Sequence, residues 1–340
     1  MTKVLVTGGT GFLAGHVIDT LLQRGHTVLT TVRSQDKAKT VLSCFQDIPR
    51  SKLDTVIVPD IAADGAFSAL GSHGLEAVIH VASPFHYNVI DPKKDLIDPA
   101  VLGTTGVLKA IKESCPGVKR VVVTSSFAAV MNPHLVGSGA AKTYSEEDWN
   151  PLTLEDALAS PMNAYVVSKI LAEKAAWDFV SSEKPSFSIS TINPPMIYGP
   201  VRHPVASLSA VNTSNQMLAE TILGKHKDGL PPTMLPLWVD VRDVALAHVK
   251  AMETDEAAGK RFFVTAGYCS NAEMGKIVWD NFPELRTKLP DTENMGGAPN
   301  PRLQSFGYDT SRAKRILGMT FTPYEKTVVD SVKSLQGLQE

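Results

Sequence analysis

The sequence has few cysteines, and their spacing matches no metal site. Three cysteines stand far apart in 340 residues, at Cys44, Cys115 and Cys269. An odd number without a C-x-x-C pair argues against a disulfide framework and against a cysteine zinc site. Isolated thiols of this kind are typical of packing residues in a reducing compartment, so we expect a cytoplasmic protein.

The chain also lacks long apolar runs and an excess of one charge. No stretch reaches the roughly 18 apolar residues of a membrane span, and no charged leader with an apolar segment precedes the first strand-like run. The 33 basic and 35 acidic residues give a net charge of −2, without a long run of one sign. Nucleic-acid binding is therefore not indicated. We predict a small-molecule substrate, no nucleic-acid or membrane partner, and a monomer or a homodimer.

What the sequence does contain is an alternation of short apolar runs with helical patterns. Strand-like runs rich in β-branched residues lie at 3–7, 27–32, 55–58, 77–82, 120–125 and 187–193. Helical spacing of apolar residues occurs at 16–25, 107–114 and 172–180. This alternation predicts an α/β fold of the Rossmann type, a doubly wound parallel sheet covered by helices on both faces.

A glycine-rich segment, VTGGTGFLAGHV at residues 6–17, leaves the first predicted strand and enters a helix. Gly8 permits a tight turn, Gly11 lets the backbone approach a pyrophosphate, and the small Ala14 lets the helix pack on the strand. Phosphates would then lie at a helix N-terminus, where free N–H groups favour an anion. The predicted phosphate-binding residues are Gly8, Thr10, Gly11, Phe12 and Leu13. The alternative is a glycine turn without a ligand.

The residues after the second predicted strand indicate which dinucleotide binds. Folds that prefer NAD place an acidic residue there for the ribose 2′-hydroxyl, whereas this chain has Val32 and Arg33. A guanidinium can bind a 2′-phosphate with two hydrogen bonds, and Lys37 adds a second positive charge. This pair favours NADPH over NADH. The competing interpretation is an ordinary basic surface, and Asp36 weakens the positive field.

Other predicted cofactor contacts follow later strands. Asp60 either meets the adenine amino group or caps a turn. The remaining predicted contacts near strand ends are Ile61, Ala82, Ser83 and Thr124.

From Pro194 onwards, prolines interrupt short apolar segments, and the regular alternation of strands and helices ends. We predict an NADP-binding Rossmann domain over residues 1–193, to which later segments return at about 234–266. Residues 194–233 and 267–340 are expected to form mainly a smaller C-terminal substrate lobe.

The stretch NAYVVSKILAEKAAW places Tyr165 and Lys169 four positions apart on a predicted helix. Side chains with this spacing are neighbours, so both groups can face one cleft. A nearby ammonium stabilises phenolate and lowers the pKa of the phenol from its usual value near ~10, as a general acid at neutral pH requires. Ser126 follows the fifth predicted strand, at the edge where open α/β sheets bind ligands.

These motifs together resemble the extended short-chain dehydrogenase/reductase family over nearly the whole chain. The matching segments are TGGTGFLAG, HVASPF, TSSFAAV, YVVSK, NPPMIYGP, WVDVRDVALAHV and DTSRAKRILG. The segments VRSQDKAK, VASPF, EEDWNP and YVVSKILAEKAAW look most like fungal NADPH-dependent aldehyde and ketone reductases, the methylglyoxal/3-methylbutanal reductase group. Plant dihydroflavonol reductases are more distant.

The resemblance implies an NADPH-dependent reductase that converts aldehydes and ketones to alcohols, with Tyr165 as the general acid. Ser126, Tyr165 and Lys169 would be the catalytic residues, Arg33 and Lys37 would bind the 2′-phosphate, and the backbone around Pro194 would position the nicotinamide. The implied substrates are methylglyoxal, 3-methylbutanal, and aryl or other prochiral ketones.

Apolar residues beside these motifs form the predicted substrate pocket: Phe85, Phe127, Met131, Met162 and Tyr198. Several of them are equally consistent with core positions. Two departures from the family pattern are Ala14, at a position usually held by glycine, and Met131, where an aromatic residue is common.

Other polar residues receive structural interpretations. We expect His80 to be a hydrogen-bonded core residue, and we expect Asp240, Arg242 and Asp243 to form ion pairs between lobes. No histidine has metal-ligand spacing, so no metal is predicted. Two alternative functions stay open, a sugar-nucleotide epimerase or dehydratase of the same fold and a non-catalytic NADP-sensing regulator.

Overall fold

A computed structural model describes residues 1–83, 90–135, 142–205, 207–299 and 306–338, apart from the side chains of residues 161 and 162. The strands are β1 (Lys3–Thr7), β2 (Thr27–Val32), β3 (Leu53–Ile57), β4 (Ala77–His80), β5 (Arg120–Thr124), β6 (Lys142–Tyr144), β7 (Ser188–Asn193), β8 (Met196–Tyr198), β9 (Leu237–Asp240), β10 (Arg261–Phe263), β11 (Gly267–Tyr268) and β12 (Phe306–Tyr308). The α-helices are α1 (Phe12–Gln23), α2 (Gln35–Ser43), α3 (Asp98–Ser114), α4 (Leu154–Ala159), α5 (Pro161–Glu183), α6 (Thr213–Ile222), α7 (Val241–Glu253), α8 (Asn271–Asn281), α9 (Ser311–Leu317) and α10 (Tyr324–Leu335).

The central sheet has seven strands in the order β10-β7-β5-β4-β1-β2-β3, and its neighbouring strands pair in parallel. Successive side chains of a strand point to opposite faces. Accordingly, Val4 and Val6 pack in one core cluster with α1 and α7, while Leu5 packs in another with α3 and α5. The predicted doubly wound fold is confirmed.

Two smaller sheets lie outside the central one. Strands β11, β9 and β8 form a three-stranded sheet, and β12 pairs with β6. Helices α6, α8 and α10 share a separate apolar cluster that includes Leu218, Val278 and Val332. The late strand β10, from residues 261–263, lies at the edge of the central sheet beside β7.

The carboxyl ends of β1, β4 and β5 are neighbours at one edge of the central sheet. Thr7 of β1 is in register with His80 of β4, and His80 is in register with Val123 of β5. Residues that follow these strands are therefore brought to the same edge as the loop between β1 and α1. Within the described ranges, no helix combines the length and apolar character needed to cross a lipid bilayer.

Candidate active site

The loop between β1 and α1 is a tight glycine turn. Gly8 has a φ of +77°, a conformation that favours glycine, and its N–H donates to Thr31 Oγ1 at 2.9 Å. A Cβ atom at Gly9 would lie only 2.3 Å from Thr30 Oγ1. In the described part of the chain, no side chain caps α1 at Gly11. A close-packed turn before a helix N-terminus without a side-chain cap fits the diphosphate of a dinucleotide.

The residues that follow the glycine turn begin α1, and the packing of this helix determines which of their side chains are buried. Ala14 is fully buried and Leu13 is 7% exposed, so both side chains belong to the core. Phe12 is half-buried and its ring lies edge-on to that of His203, with 5.6 Å between centroids. Thr10 is half-buried within the loop. The side chains of Leu13 and Ala14 are therefore committed to the core, which leaves only their backbone groups for the predicted phosphate contacts.

A basic pair lies beside this loop, where β2 ends and α2 begins. Arg33 directly follows β2, and both Arg33 and Lys37 are exposed. Ser34 caps α2 by accepting a hydrogen bond from the Lys37 N–H at 3.3 Å. Asp36 forms an ion pair with Lys39 at 3.3 Å, which offsets its negative charge. Since Gly9 N–H donates to the carbonyl of Thr31 at 2.9 Å, the basic pair adjoins the glycine turn.

Asp60 and Ile61 lie in the turn that follows β3. Asp60 Oδ1 accepts a hydrogen bond from the Ala62 N–H at 2.9 Å, and the residue is exposed. Ile61 packs so closely on α3 that a Cβ atom at Gly103 would lie 3.0 Å from its Cδ1. The hydrogen bond of Asp60 is the one expected from the turn-capping interpretation.

Tyr165 and Lys169 lie on one face of α5, and Lys169 reaches the end of β4. Lys169 Nζ lies 5.5 Å from the centroid of the Tyr165 ring, and it donates a hydrogen bond to Ser83 Oγ at 2.6 Å. Burial lowers the pKa of Lys169 from 10.5 to about 8. The structure thus brings together the predicted Tyr165, Lys169 and Ser83.

Ser126 begins the turn that follows β5. Its Oγ accepts a hydrogen bond from the Ala128 N–H at 3.1 Å, and the next residue, Phe127, donates its N–H to the carbonyl of Pro194 at 2.8 Å. Ala129 of the same turn packs against Ala164 of α5. The turn that begins with Ser126 therefore shares a core cluster with Ala164 and Tyr165 of α5.

A small cleft lies beside Lys169 and Ser83, and its lining does not include Tyr165 or Ser126. Its lining combines strand ends with one face of α5: His80, Ala82, Ser83, Thr104, Val123, Thr124, Ser125, Lys169, Ala172 and Glu173. Thr7 Oγ1 accepts from the N–H groups of Val81 and Ala82, both at 3.0 Å, so its own proton is available to His80 Nδ1 at 2.9 Å. Burial, with a smaller contribution from Lys169, lowers the pKa of His80 to about 4. His80 is therefore a neutral, hydrogen-bonded core residue, as predicted.

Sequence reasoning missed three groups that support this edge of the sheet. His248 of α7 binds Thr124 through Nε2 at 2.7 Å, while its Nδ1 lies 2.8 Å from the carbonyl of Val244. Because a carbonyl only accepts, Nδ1 donates, and the neutral ring accepts the Thr124 proton. The other two groups are Glu173 and Arg261, a buried ion pair at 2.6 Å. The spacing of Glu173, four residues after Lys169, was an available signal, whereas Arg261 offered none.

The predicted pocket residues have different placements. Phe127 is 1% exposed and its ring stacks on Phe263, with 4.9 Å between centroids, in an aromatic core cluster. Met131 is half-buried at the border of that cluster, and Tyr198 is half-buried on β8. Phe85 lies outside the described residues, as does the side chain of Met162. Met131 and Tyr198 thus retain partly exposed side chains, whereas the buried ring of Phe127 favours a structural role.

The described residues include His, Cys, Asp and Glu side chains that could in principle bind a metal. Among them, no three His, Cys, Asp or Glu side chains are grouped in a way that could hold a metal ion.

Comparison with known proteins extends the likeness over the whole chain. A sequence model of the NAD dependent epimerase/dehydratase family matches residues 4–265. The chain is 43% identical over 336 residues to the ketoreductase azaE of Aspergillus niger, which covers 98% of this chain and 97% of that protein. It is 33% identical over 339 residues to the NADPH-dependent methylglyoxal reductase GRE2 of Saccharomyces cerevisiae, with 98% of each chain covered.

A solved structure agrees with this assignment. The crystal structure of Gre2 in complex with NADPH from Candida albicans superposes with a TM-score of 0.87 at 35% identity, covering 100% of both chains. The resemblance noted from the motifs is therefore confirmed, and this chain belongs to the NAD dependent epimerase/dehydratase family, within the extended short-chain dehydrogenases/reductases.

Proposed function

We propose that this chain is an NADPH-dependent carbonyl reductase that converts aldehydes and ketones to alcohols. One observation carries the proposal: Lys169, beside the Tyr165 ring at 5.5 Å, joins α5 to Ser83 at the edge of the sheet where the glycine turn lies. The names of the relatives support the same chemistry, because one is a ketoreductase and another an NADPH-dependent methylglyoxal reductase.

The cofactor would be held by the chain's backbone at its central diphosphate and by basic side chains towards its two ends. Arg33 and Lys37 would bind the 2′-phosphate, and Lys169 would donate to ribose hydroxyls. The diphosphate would contact Gly8, Thr10, Gly11, Phe12 and Leu13. The other proposed contacts are Asp60, Ile61, Ala82, Ser83, Thr124, Tyr165 and Pro194. When bound, NADPH supplies the hydride that reduces the carbonyl carbon.

The chain's own part in the reaction is to polarise the carbonyl oxygen and supply a proton. Ser126 Oγ accepts from Ala128 through a lone pair, so its hydroxyl proton can be donated to the substrate oxygen. Tyr165 donates a second hydrogen bond and then transfers its proton to that oxygen as negative charge develops there. The Lys169 ammonium stabilises the phenolate that remains.

The proposed substrates are small carbonyl compounds: methylglyoxal, 3-methylbutanal, and aryl or other prochiral ketones. Met131 and Tyr198, with their partly exposed side chains, would line the pocket together with Phe85 and Met162. Phe127 would support the pocket from the core, since its ring is buried.

We also propose which segments of the chain bind the cofactor and which bind the substrate. Residues 1–193 and about 234–266 would bind the cofactor, and residues 194–233 and 267–340 would mainly bind the substrate. We further propose that the enzyme works in the cytoplasm, where its three free cysteines would stay reduced, as a monomer or a homodimer.

Loss of NADPH absorbance in the presence of methylglyoxal, 3-methylbutanal and an aryl ketone tests this function. We expect NADPH consumption with at least one of them. Tyr165→Phe should lower kcat by about 10²–10⁴-fold, since the general acid is lost, and should raise the Kd for NADPH by less than about tenfold, since only one of many cofactor contacts is lost. Tyr268→Phe is the matched control. It removes a hydroxyl that donates to the Phe306 carbonyl at 2.6 Å and has no proposed role in the reaction, so kcat should change little.

Two outcomes would contradict the reductase. No consumption with any carbonyl, together with NAD that stays bound through purification, would indicate an epimerase or dehydratase. Binding of NADP without turnover of any carbonyl would indicate a sensing regulator. Full activity in Tyr165→Phe would refute the role given to the phenol.

A further inference from the structure

Beneath the candidate catalytic residues lies a buried carboxylate with an unusually complete set of donors. Glu173 is 1% exposed and follows Lys169 by one helical turn on α5. Its carboxylate accepts hydrogen bonds from Arg261 Nε at 2.6 Å, Ser125 Oγ at 2.5 Å, Asn193 Nδ2 at 2.7 Å, Thr191 Oγ1 at 3.0 Å and Trp177 Nε1 at 3.3 Å. We call these six residues the Glu173 network.

The network joins the ends of two strands to the helix that carries Tyr165 and Lys169. Ser125 directly follows β5, and Asn193 is the last residue of β7. The side-chain amide of Asn193 also lies 3.3 Å from the carbonyl oxygen of Ser126, to which it donates. Through these bonds, the carboxylate on α5 fixes the backbone on both sides of Ser126.

Arg261 neutralises this carboxylate and is itself fixed. Its guanidinium lies 3.7 Å from the centroid of the Trp149 ring, and its Nη1 donates to the carbonyls of Glu146 and Asp148 at 2.7 and 2.6 Å. A buried ion pair seldom adds much net stability compared with apolar packing of the same volume, because desolvation is costly. Such a network is better explained by the geometry it enforces.

We propose that Glu173 is a positioning residue that sets the place of Ser126 relative to Tyr165 and Lys169 in the reduction. This inference rests on the proposed function, in which Ser126 hydrogen-bonds the carbonyl oxygen. Glu173 itself acts through Asn193 and Ser125 and does not reach the substrate.

Glu173→Gln tests the proposal with almost no change of shape. In either orientation of the new amide, its NH₂ group faces another donor, either Asn193 Nδ2 or Arg261 Nε. We expect kcat to fall at least about tenfold while the Kd for NADPH changes less than about threefold, because a misplaced Ser126 affects the transition state and not cofactor binding.

A double-mutant cycle separates positioning from a general structural effect. If Glu173 acts through Ser126, Glu173→Gln should lower kcat by less than about threefold when Ser126→Ala is already present. An equal loss in both backgrounds would overturn the proposal. Should Glu173→Gln fail to bind NADPH, Ser125→Ala replaces it, since this change removes one donor and keeps the ion pair.

Hydrogen exchange tests the same geometry without catalysis. Exchange at residues 125–131 should accelerate at least about tenfold in Glu173→Gln, because the Phe127 N–H is bonded to the Pro194 carbonyl at this position. The control is Asp240→Asn, which removes another buried carboxylate with an arginine partner, 2.7 Å away. It should leave exchange in this segment unchanged.

The two readouts distinguish two kinds of failure. Unchanged exchange at residues 125–131 in Glu173→Gln would overturn the positioning role, whatever the enzyme reduces. Faster exchange in a protein that reduces no carbonyl would retain the structural link to Ser126 and reject the proposed function instead.

Discussion

At the scale of single residues, both proposed roles of Lys169, stabilising the Tyr165 phenolate and donating to the cofactor ribose, depend on a charge that burial affects. Its ammonium lies beside the Tyr165 ring and donates to Ser83 at 2.6 Å. The same burial lowers its pKa to about 8. The positive charge on which the proposed chemistry depends is therefore lost at about pH 8, about 2.5 pH units below the value for an ordinary lysine.

This shift predicts a specific pH dependence of cofactor binding. Below pH 8 the ammonium can donate to ribose hydroxyls and attract the cofactor, and above pH 8 the neutral amine loses the charge and one donor. We expect the Kd for NADPH to rise by up to about tenfold between pH 7 and pH 9. Fluorescence titration of the free protein across this range measures it.

Lys169→Met provides the control for this prediction. It should bind NADPH more weakly at pH 7 and show no inflection near pH 8, because the titrating group is absent. An unchanged inflection in the variant would assign the pH dependence to another residue.

The sequence predicted contacts within the candidate site most directly where spacing along one element carried the information. Tyr165 and Lys169 are four residues apart on one helix, so their proximity follows from helix geometry alone. Arg261 is 88 positions after Glu173 and meets it only because β10 returns to the edge of the central sheet. A contact of this kind depends on the tertiary topology, which local patterns do not contain.

At the scale of elements, the turn between β2 and α2 carries the side chains proposed to favour NADPH over NADH. Arg33 and Lys37 are exposed there, and Ser34 fixes the start of α2 between them. Since Asp36 is paired with Lys39 at 3.3 Å, the positive charges of Arg33 and Lys37 remain available to a phosphate.

Replacing one basic side chain in this turn tests the preference. Arg33→Ser should raise the Kd for NADPH by at least about tenfold and leave the Kd for NADH within about threefold, because a charged hydrogen bond to the 2′-phosphate is lost. Lys276→Ser, which removes an exposed lysine of α8 paired with Asp280, is the control and should change both constants little. Equal weakening of NADPH and NADH binding by Arg33→Ser would place the 2′-phosphate elsewhere.

The bounds of strands and helices were predicted accurately where the run of apolar residues is continuous, and less accurately where a helix contains small residues such as glycine. Strands β1 and β2 have the predicted bounds, whereas the strand predicted at 77–82 ends at His80. There the N–H groups of Val81 and Ala82 turn to Thr7 Oγ1. Helix α3 starts nine residues before the predicted 107. Its first turns contain Gly103 and Gly106, which have low helix propensity, so the local pattern did not predict them.

At the scale of the whole molecule, a polar junction joins α7 to the C-terminal segment. Arg242 pairs with Asp240 at 2.7 Å, which confirms the predicted ion pairing for these two residues, and also with Asp330 of α10 at 2.5 Å, which was not predicted. Asp243 differs, because its carboxylate accepts from the Thr322 N–H at 2.7 Å and from the Thr322 hydroxyl at 3.1 Å. The C-terminal segment is thus tied to α7 by both ion pairs and neutral donors.

Because of Asp243, the stability that this junction provides should decrease as the pH rises, whereas paired carboxylates usually lose stability as the pH falls. Burial raises the pKa of its carboxyl group from 3.8 to about 6, with a smaller contribution from Asp240 and an opposing one from Thr322 and Arg242. The folded protein therefore binds this proton more tightly than the unfolded chain does. The stabilisation is complete below pH 4 and is lost as the pH rises through 6.

Thermal unfolding of the wild type and Asp243→Asn between pH 4 and pH 7 tests this. The Tm of the wild type minus that of the variant should fall by a few degrees as the pH rises through 6, consistent with about 1–3 kcal/mol for an ionisation of this kind. Asp330→Asn is the control. At Asp330, burial alone would raise the pKa, but hydrogen bonds from Arg242 and Lys326 lower it, so its Tm difference should stay nearly constant over this range. A constant difference for Asp243→Asn would instead mean that its carboxyl group is ionised throughout.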